Sequence, residues 1–384
     1  MTRARVLIVL AVGWVGSAAA APAPAPTPTK TLGFVVRDWF SAYYTSKFAD
    51  ECPDGLAISN DQIWWRGISK EERARKTENG LYLDVPRLYM AMQRGPNGED
   101  VCLNPTLVND PPLRTVEGKY AYGVNIDGNV DGAATPKTCS HENFTHPDGT
   151  PGVDNQMYRL LGCIYGWRKG GLPELNAHEA RGTSGLGMIL IEISGVTDPQ
   201  NSDGVTVAFH RSKDQFAFDG SGKPLPFSSY NIDAVDGSPR YGDVLKGRIK
   251  DGVLTTERGD VKLPFYGNYY FMHPTIRDMD LKLEIGSDGS TAKGLVTGYY
   301  EMDAFLHYVS GMVGHTSTAD NCPSTYVAAH QLADGYPDPV TGQCTHLSTA
   351  VEIGAYAAFI LHPSPDEQKV ADGPTRGGSA MAKP

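Results

Sequence analysis

The sequence predicts a mainly β protein with some α-helix, in which an irregular, partly helical N-terminal region packs on an antiparallel, jelly-roll-like β-sandwich. The first observation behind this prediction is a series of short segments between Leu186 and Tyr300 that are β-branched or alternate between apolar and polar residues. Such alternation is the two-residue period of a strand. The second observation is that tight turns, without intervening helices, separate these segments, which is typical of antiparallel sandwiches and barrels.

Six segments of this region are predicted strands. They are Met188–Ile193, Val205–His210, Val244–Ile249, Val261–Phe265, Leu281–Ile285 and Gly294–Tyr299. The clearest turn among them is Asp251-Gly252, which lies between two alternating segments. An Asp-Gly pair readily takes the positive φ angles of a two-residue hairpin turn, so we expect a β-hairpin at this point.

The clearest helix of the N-terminal region is predicted over 154–167. From Met157 onward, apolar residues recur at the spacing i, i+3, i+4 and i+7, which places them on one face of a helix. Asp154 stands at the start of this segment, and an aspartate there is suited to cap the free N–H groups of the first turn.

Changes in composition and residue pattern divide the chain into six parts. Arg3 and Arg5 precede a short apolar segment and then small residues, which is the pattern of a secretory signal peptide. The Pro-rich residues that follow are typical of a semi-rigid spacer. The predicted parts are a signal peptide (1–21), a Pro-rich spacer (22–30), an irregular helix and loop region with an acidic, Gly-rich loop (31–171), the β-sandwich (172–310), a C-terminal helix and strand extension (311–362) and a disordered tail (363–384).

Export determines how the cysteines are interpreted. We predict a periplasmic or secreted protein without a membrane span, because no segment after the signal is long and apolar enough to cross a bilayer. An even number of cysteines in an oxidising compartment predicts three disulfides. Cys322 and Cys344 are a reasonable local pair, although the sequence does not choose among the pairings. The other cysteines are Cys52, Cys102, Cys139 and Cys163.

The charge balance is acidic, with 34 Lys and Arg against 44 Asp and Glu and a formal net charge of −10 at pH 7. Because the chain has no basic run, this composition argues against nucleic acid or anionic lipid as a partner. The length of 384 residues is enough to bury a substantial core in one large or two ordinary domains.

An acidic, Gly-rich loop over 125–155 is the strongest candidate for a binding site. The segment D-G-N-V-D-G places Asp127, Asn129 and Asp131 at positions 1, 3 and 5 of an oxygen-ligand loop, with Gly132 at position 6. Oxygen ligands at alternate positions of a Gly-turned loop are what a calcium ion needs. Ca²⁺ is therefore the cofactor that the sequence suggests.

The match to a calcium loop is incomplete. The twelfth position of such a loop carries a bidentate carboxylate, and here it is Thr138. The predicted site therefore needs Asp148, Asp154 or Glu142 to fold back and complete the ligand set. The competing interpretation is structural, because Asp-Gly pairs are ordinary turn residues.

The eight residues at 148–155 read D-G-T-P-G-V-D-N. This segment resembles a D-G-x-x-G-(I/V)-D-N element of large, uncharacterised exported bacterial proteins. The resemblance covers only this short segment, and it implies no activity.

Two histidines in the same loop are a candidate zinc motif. His141 and His146 are five residues apart, whereas the helical zinc-protease motif needs a spacing of four so that both rings face the metal. A zinc protease of that class is therefore not predicted. Cys139 and the two histidines remain a metal-ligand candidate only if the cysteine is not in a disulfide.

The paired carboxylates Glu301 and Asp303 are weak catalytic candidates. Residues two apart on a strand share a face, which suits the acid and base roles of a glycosidase. The E-M-D sequence resembles the start of the E-x-D-x-x-E signature of jelly-roll glycoside hydrolases. Leu306 and His307 stand where the second catalytic glutamate of that signature is expected, so no catalytic residue is assigned.

Two functional hypotheses follow. The first is a non-catalytic exported protein that binds a glycan or a cell-envelope component, with a structural divalent cation in the acidic loop. Aromatic segments at 265–271 and 299–300 are the expected contact surface for that partner. The alternative is a secreted, glycoside hydrolase-like enzyme. A third carboxylate such as Glu192 or Glu284 within about 5–10 Å of Glu301 would favour the enzyme.

Overall fold

The computed structural model describes residues 28–45, 48–57, 69–76, 94–108, 112–168, 171–267, 270–313 and 322–363. The predicted signal peptide, most of the spacer and nearly all of the predicted tail lie outside the described residues. Within these ranges, no helix combines the length and the apolar character that a membrane crossing requires.

Antiparallel strands dominate the described residues. The strands are β1 (Lys30–Ser41), β2 (Phe144–Thr145), β3 (Pro151–Val153), β4 (Ile189–Val196), β5 (Asn201–Arg211), β6 (Ser228–Asn231), β7 (Ala234–Val235), β8 (Ser238–Pro239), β9 (Val244–Lys250), β10 (Val253–Thr256), β11 (Gly259–Lys262), β12 (Phe265–Gly267), β13 (Tyr270–Met272), β14 (Thr275–Ile285), β15 (Thr291–Glu301), β16 (Gly335–Pro337) and β17 (Cys344–Leu361). Asp251 and Gly252 have φ angles of 51° and 75° and join β9 to β10. The predicted hairpin is confirmed.

Eight of these strands close into a barrel. Their hydrogen-bonded order is β1, β4, β5, β9, β10, β14, β15 and β17, and β17 pairs again with β1. The prediction of a mainly β, antiparallel protein is confirmed, but the sheet closes on itself where a jelly-roll-like sandwich was predicted. Closure depends on β1 and β17, which lie outside the segment predicted to form the sheet.

The barrel interior is filled by alternate residues of its strands. In β4 the inward side chains include Ile189, Ile191 and Ile193, which are buried in one apolar core with side chains from every other barrel strand. The residues between them face the outer wall, because successive side chains of a strand point to opposite faces. Glu192 is one of these outward residues.

Short helices and irregular segments cover the barrel end where β1 and β15 finish and β4 and β17 begin. The helices are α1 (Phe48–Glu51), α2 (Lys70–Lys76), α3 (Gln156–Leu161), α4 (Leu172–Ser184), α5 (Met302–Val313) and α6 (Cys322–Leu332), with a 3₁₀ turn at Tyr165–Trp167. Side chains of α3, α5 and α6 form a second apolar core with the start of β17. We call this layer the cap.

The helix predicted over 154–167 is shorter than expected. It runs over Gln156–Leu161, and its N-cap is Asn155, whose side chain accepts a hydrogen bond from the Tyr158 amide. The prediction that Asp154 caps this helix is wrong, because its carboxylate is directed into the acidic loop. The helix ends at Gly162, where an added Cβ would lie 2.5 Å from the Tyr158 ring.

Three disulfides form, as predicted, but the expected local pair is wrong. Cys322 bonds to Cys102 and Cys344 to Cys139, because the two cysteines begin elements that pack on different parts of the N-terminal region. The third pair is Cys52 and Cys163. The bonds close loops of 111 to 220 residues. Closing long loops stabilises a fold by about 2–5 kcal/mol per bond, which suits a region with little regular structure.

The C-terminal end of β17 crosses the outer wall of the barrel. Residues 358–361 leave β1 and pair in parallel with β6. The crossing requires a glycine, because a Cβ at Gly33 of β1 would lie 2.4 Å from the Ala358 carbonyl oxygen. A small third core, which includes Val35, Leu190 and Tyr230, fills the space under this crossing. The crossing directs the chain that follows towards β4.

Candidate functional site

An apolar cavity lies between the barrel end and the cap. Its volume is about 90 Å³, and both layers contribute to its wall. The lining residues are Trp39, Ser41, Met157, Leu161, Trp167, Ile189, Leu263, Pro264, Phe265, Met272, Pro274, Ile276, Tyr300, Phe305, Tyr308, Thr349 and Val351. The lining side chains with a hydrogen-bonding group are Ser41, Thr349, Tyr300, Tyr308, Trp39 and Trp167. The other lining side chains are apolar, so the cavity offers mainly shape and apolar contact.

The aromatic segments singled out in the sequence meet the cavity in part. Phe265 and Tyr300 line it, and Trp167 packs against Phe305 with ring centroids 6.0 Å apart. Tyr299 points away from the cavity and is buried beside the acidic loop. Alternation along β15 explains this division, because neighbouring residues of a strand face opposite sides.

The side chains predicted to bind calcium hold the loop's own backbone. Oδ1 of Asp127 accepts from the Asn129 amide at 2.7 Å, and Oδ1 of Asn129 accepts from the Asp131 amide at 3.2 Å. Asp131 in turn accepts from the Ala133 amide at 3.1 Å. Such side chain to backbone turns are the usual chemistry of these residue types. The calcium site stays a prediction, because each residue also has a second oxygen or a carbonyl to offer.

Two further predicted ligands lie apart from this series of turns. Asp148 accepts from the Thr150 amide at 2.9 Å and pairs with His146 at the same distance. Asp154 is completely buried, and its Oδ2 accepts from the amides of Ile126 and Asp127 at 2.6 and 3.2 Å. Asp154 therefore ties the far end of the loop to its start, which the calcium hypothesis also required.

His141 completes the bonding of Asp154. Its Nε2 lies 2.9 Å from Oδ1 of Asp154, and its Nδ1 lies 2.8 Å from the Cys139 carbonyl oxygen. Burial lowers the pKa of His141, but the hydrogen bond to Asp154 and the nearby Asp334 charge outweigh it and raise the pKa to about 9. The predicted alternative of a Cys139 metal ligand is wrong, because this cysteine bonds to Cys344.

Asp334 and Tyr299 border the same buried region, and sequence reasoning missed both. Asp334 accepts from the Ser348 amide at 2.7 Å, while its Oδ2 and the Tyr299 hydroxyl lack hydrogen-bond partners among the described residues. Burial raises the pKa of Asp334 to about 7. We call Asp154, His141, Asp334 and Tyr299 the buried clasp, because they join the acidic loop to β15, β17 and the segment after α6.

The carboxylates Glu301 and Asp303 are exposed and belong to different elements. Glu301 ends β15, whereas Asp303 lies in the first turn of α5. The two-residue period of a strand therefore does not relate their side chains. The proposed third carboxylates have other partners: Glu284 pairs with Lys293 at 3.1 Å, and Glu192 pairs with two histidines. The hydrolase alternative stays a prediction without a carboxylate constellation to support it.

Glu192, His210 and His362 form a cluster on the outer wall of the barrel. One ligand atom from each residue lies within 4.8 Å of the others, and among the described residues this is the group of three or more potential metal ligands that meets that limit. Glu192 Oε2 lies 3.2 Å from His210 Nε2 and 2.9 Å from His362 Nε2. We call these three residues the wall cluster.

The barrel and the β17 crossing assemble this cluster. Glu192 of β4 and His210 of β5 face outward on adjacent strands, where His210 is opposite Leu190. His362 follows the last residue of β17, after the strand has crossed β1 at Gly33, the residue opposite Glu192. Sequence reasoning missed the cluster, because its members share no local spacing. The only signal was a glutamate and a histidine at outward positions of neighbouring predicted strands.

Comparison with protein-family models, with curated proteins and with solved structures gives no match for this chain. The function is therefore argued from the fold and from the geometry of the cavity and the side-chain clusters.

Proposed function

We propose that this protein is an exported binding protein that holds a small apolar ligand, or the apolar end of a cell-envelope component, between the barrel and its cap. The observation that carries the proposal is the apolar, aromatic-lined cavity at the barrel end. The mouth of a β-barrel is a frequent place for a small-molecule site, since the strands hold its walls rigidly. The predicted signal peptide and the three disulfides support export.

The lining favours an apolar ligand over the glycan of the first hypothesis. A sugar buried there would need partners for its hydroxyl groups, and a buried polar group without a partner is costly. The cavity is smaller than the engineered apolar cavity of about 150 Å³ that binds benzene. It therefore suits a short hydrocarbon end, and a ring or a bulkier ligand requires the cap to move.

Binding in this cavity can be followed through the stability of the protein. Its wall is mainly apolar, so an apolar ligand gains contacts that the empty cavity lacks. A ligand that fills it restores those contacts and stabilises the folded state by mass action. Trp39 and Trp167 lie in the wall and report on the occupant by their fluorescence.

The proposal is tested by titrating the exported chain with toluene and with hexanol while tryptophan fluorescence and the melting temperature are recorded. We expect a saturable fluorescence change and a melting temperature that rises with ligand concentration. Val351→Phe fills the cavity and removes both responses. Val244→Phe is the matched control, because Val244 is 52% exposed on β9, and it retains both. Equal responses in the two variants, or no response to either probe, would refute the proposal.

A further inference from the structure

The wall cluster has the geometry of a preformed metal site. In a tetrahedral zinc site, ligands about 2.0–2.2 Å from the metal lie about 3.3 Å from one another. Glu192 Oε2 lies 3.2 Å from His210 Nε2 and 2.9 Å from His362 Nε2, so the three groups converge on one point. One ligand atom of each residue lies within 4.8 Å of the other two, so the three groups can meet a cation placed between them.

The hydrogen bond of His210 orients its ring for coordination. Nδ1 of His210 lies 3.0 Å from the Tyr241 carbonyl oxygen, which can only accept, so Nδ1 carries the proton. Nε2 therefore faces Glu192 and His362. A hydrogen bond from the second ring nitrogen to a backbone carbonyl is the usual support of a metal-binding histidine. The His210 side chain is 6% exposed, and its position in β5 keeps the ring in place.

We propose that Glu192, His210 and His362 bind a divalent transition cation of the Zn²⁺ class on the outer wall of the barrel. Two imidazole nitrogens and one carboxylate oxygen are a donor set that prefers such cations over Ca²⁺ or Mg²⁺, which take oxygen ligands. The site is separate from the cavity and from the acidic loop, and the proposal does not depend on the function assigned to the cavity.

The position of the ligands gives the cation a structural role. Glu192 and His210 belong to the barrel wall, whereas His362 belongs to the chain that has crossed over β1. A cation held by all three fastens the C-terminal end of β17 to the barrel. The His362 side chain is 53% exposed, so the cation has access from solvent and keeps a coordination position for water.

A competing explanation is a hydrogen-bonded cluster without metal, in which Glu192 accepts from protonated histidines. In that arrangement the hydrogen bond from His210 is the main cause that lowers the pKa of Glu192. The two explanations differ in their proton balance. Metal binding requires a lone pair on Nε2 of each histidine, whereas the cluster without metal requires an N–H group there, so measured Zn²⁺ binding separates the two explanations.

The test measures Zn²⁺ binding to the exported chain after treatment with chelator, by calorimetry and by competition with a chromophoric chelator. We expect one Zn²⁺ per chain, unaffected by excess Ca²⁺, and a Co²⁺ complex with the visible absorption of a nitrogen- and oxygen-ligated site. His362→Ala should weaken binding by about tenfold or more, since removing even an outer partner of a metal ligand costs 10–100-fold. Because His362 is half-exposed, this variant is expected to fold.

The matched control is His307→Ala, which removes an exposed histidine of α5 outside the cluster. It should bind Zn²⁺ as the natural chain does. Glu192→Gln removes the charge and keeps the shape, and it should also weaken binding. Limited proteolysis supplies a second readout, because Zn²⁺ should protect the chain around 358–363 in the natural protein but not in His362→Ala. The absence of Zn²⁺ binding, or equal binding by His362→Ala and His307→Ala, would overturn the proposal.

Discussion

The buried clasp and the wall cluster both pair a carboxylate with histidine, but they differ in their exposure to solvent. In the clasp, Asp154 is completely buried, and both its oxygens are bonded by backbone amides and by His141. In the wall cluster, the oxygens of Glu192 lie beside two imidazole nitrogens, one of them on a half-exposed ring. We infer from this difference that the carboxylate of Asp154 holds its own loop together, whereas the carboxylate of Glu192 meets two histidine rings with which it can share a cation.

The largest effect is expected from Asp154→Ala. This change leaves the His141 ring buried without its carboxylate and leaves the amides of Ile126 and Asp127 unpaired. Breaking a buried ion pair by removing one partner costs about 3–5 kcal/mol, and we expect the free energy of unfolding to fall by that amount. Denaturant titration at neutral pH measures it.

Asp131→Ala is the control for this prediction, because Asp131 is an exposed residue of the same loop that holds one turn. We expect it to change the free energy of unfolding by about 0.5–1 kcal/mol. Similar losses of unfolding free energy in Asp154→Ala and Asp131→Ala would show that the buried clasp stabilises the loop no more than an exposed turn does.

The clasp should also make stability depend on pH. Burial raises the pKa of Asp334 from the ordinary 3.8 to about 7. Burial lowers the pKa of His141, but the hydrogen bond from His141 to Asp154 outweighs it, and the pKa rises from 6.5 to about 9. Between about pH 4 and 9 these two groups therefore bind more protons in the folded state than in the unfolded state, so their contribution to the free energy of unfolding falls as the pH rises through this window. Burial lowers the pKa of His346 to about 4, so this histidine contributes in the opposite direction between about pH 4 and 6.5.

Denaturant titrations at pH 5, 7 and 8.5 measure this trend, and Asp334→Asn is the informative variant. It removes the contribution of Asp334, so the free energy of unfolding of the natural chain should fall relative to that of the variant between pH 5 and 7, while the part due to His141 above pH 6.5 persists in both. The same pH dependence in the natural chain and in Asp334→Asn would contradict the assignment.

The sequence contained most of the local information about the barrel. Five of the six predicted strands fall on strands of the structure, whereas Val261–Phe265 spans the end of β11 and the start of β12; the Asp251-Gly252 turn forms as expected. Hydrophobic alternation and turn residues are local signals, so they are legible in a single chain. The closure of the barrel could not be predicted from the sequence, because it depends on the pairing of β1 with β17, more than 300 positions apart along the chain.

The sites were less predictable for the same physical reason. Glu192 was noted only as a third carboxylate, and its histidine partners come from β5 and from the end of β17. The disulfide pairs likewise depend on which elements pack together. The acidic loop was recognised from its composition, but the role of Asp154 could not be read from the spacing, since a helix cap and a buried clasp use the same residue type.

A smaller effect is expected from Gly33→Ala. Gly33 lies opposite Glu192 and under the crossing strand that leads to His362, so it affects both parts of the wall cluster. A Cβ at Gly33 would lie 2.4 Å from the Ala358 carbonyl oxygen, so the crossing strand must move outward. We expect a loss of about 1–3 kcal/mol in the free energy of unfolding, as for other overpacked sites. His362 moves with the crossing strand, so Zn²⁺ affinity should fall as well.

Gly220→Ala is the matched control for this change, because nothing lies within 4 Å of an added Cβ and its φ angle is not positive. It should affect neither stability nor Zn²⁺ affinity by more than the error of measurement. Unchanged Zn²⁺ affinity in Gly33→Ala would mean that the crossing does not set the position of His362.

The smallest effect is expected from Ca²⁺ at the acidic loop. Asp127 already accepts from the Asn129 amide and from the Thr138 hydroxyl, so a Ca²⁺ ion has to compete with bonds that the loop makes to itself. We expect millimolar Ca²⁺ to raise the melting temperature less than Zn²⁺ does, and Asp127→Ala to lower stability by about 0.5–1 kcal/mol whether or not Ca²⁺ is present. A melting temperature that rises steeply with Ca²⁺, and no longer does so in Asp127→Ala, would establish a cation site in the loop. The acidic loop and the wall cluster would then differ in the cation that each one selects, because oxygen ligands favour Ca²⁺ and imidazoles favour Zn²⁺.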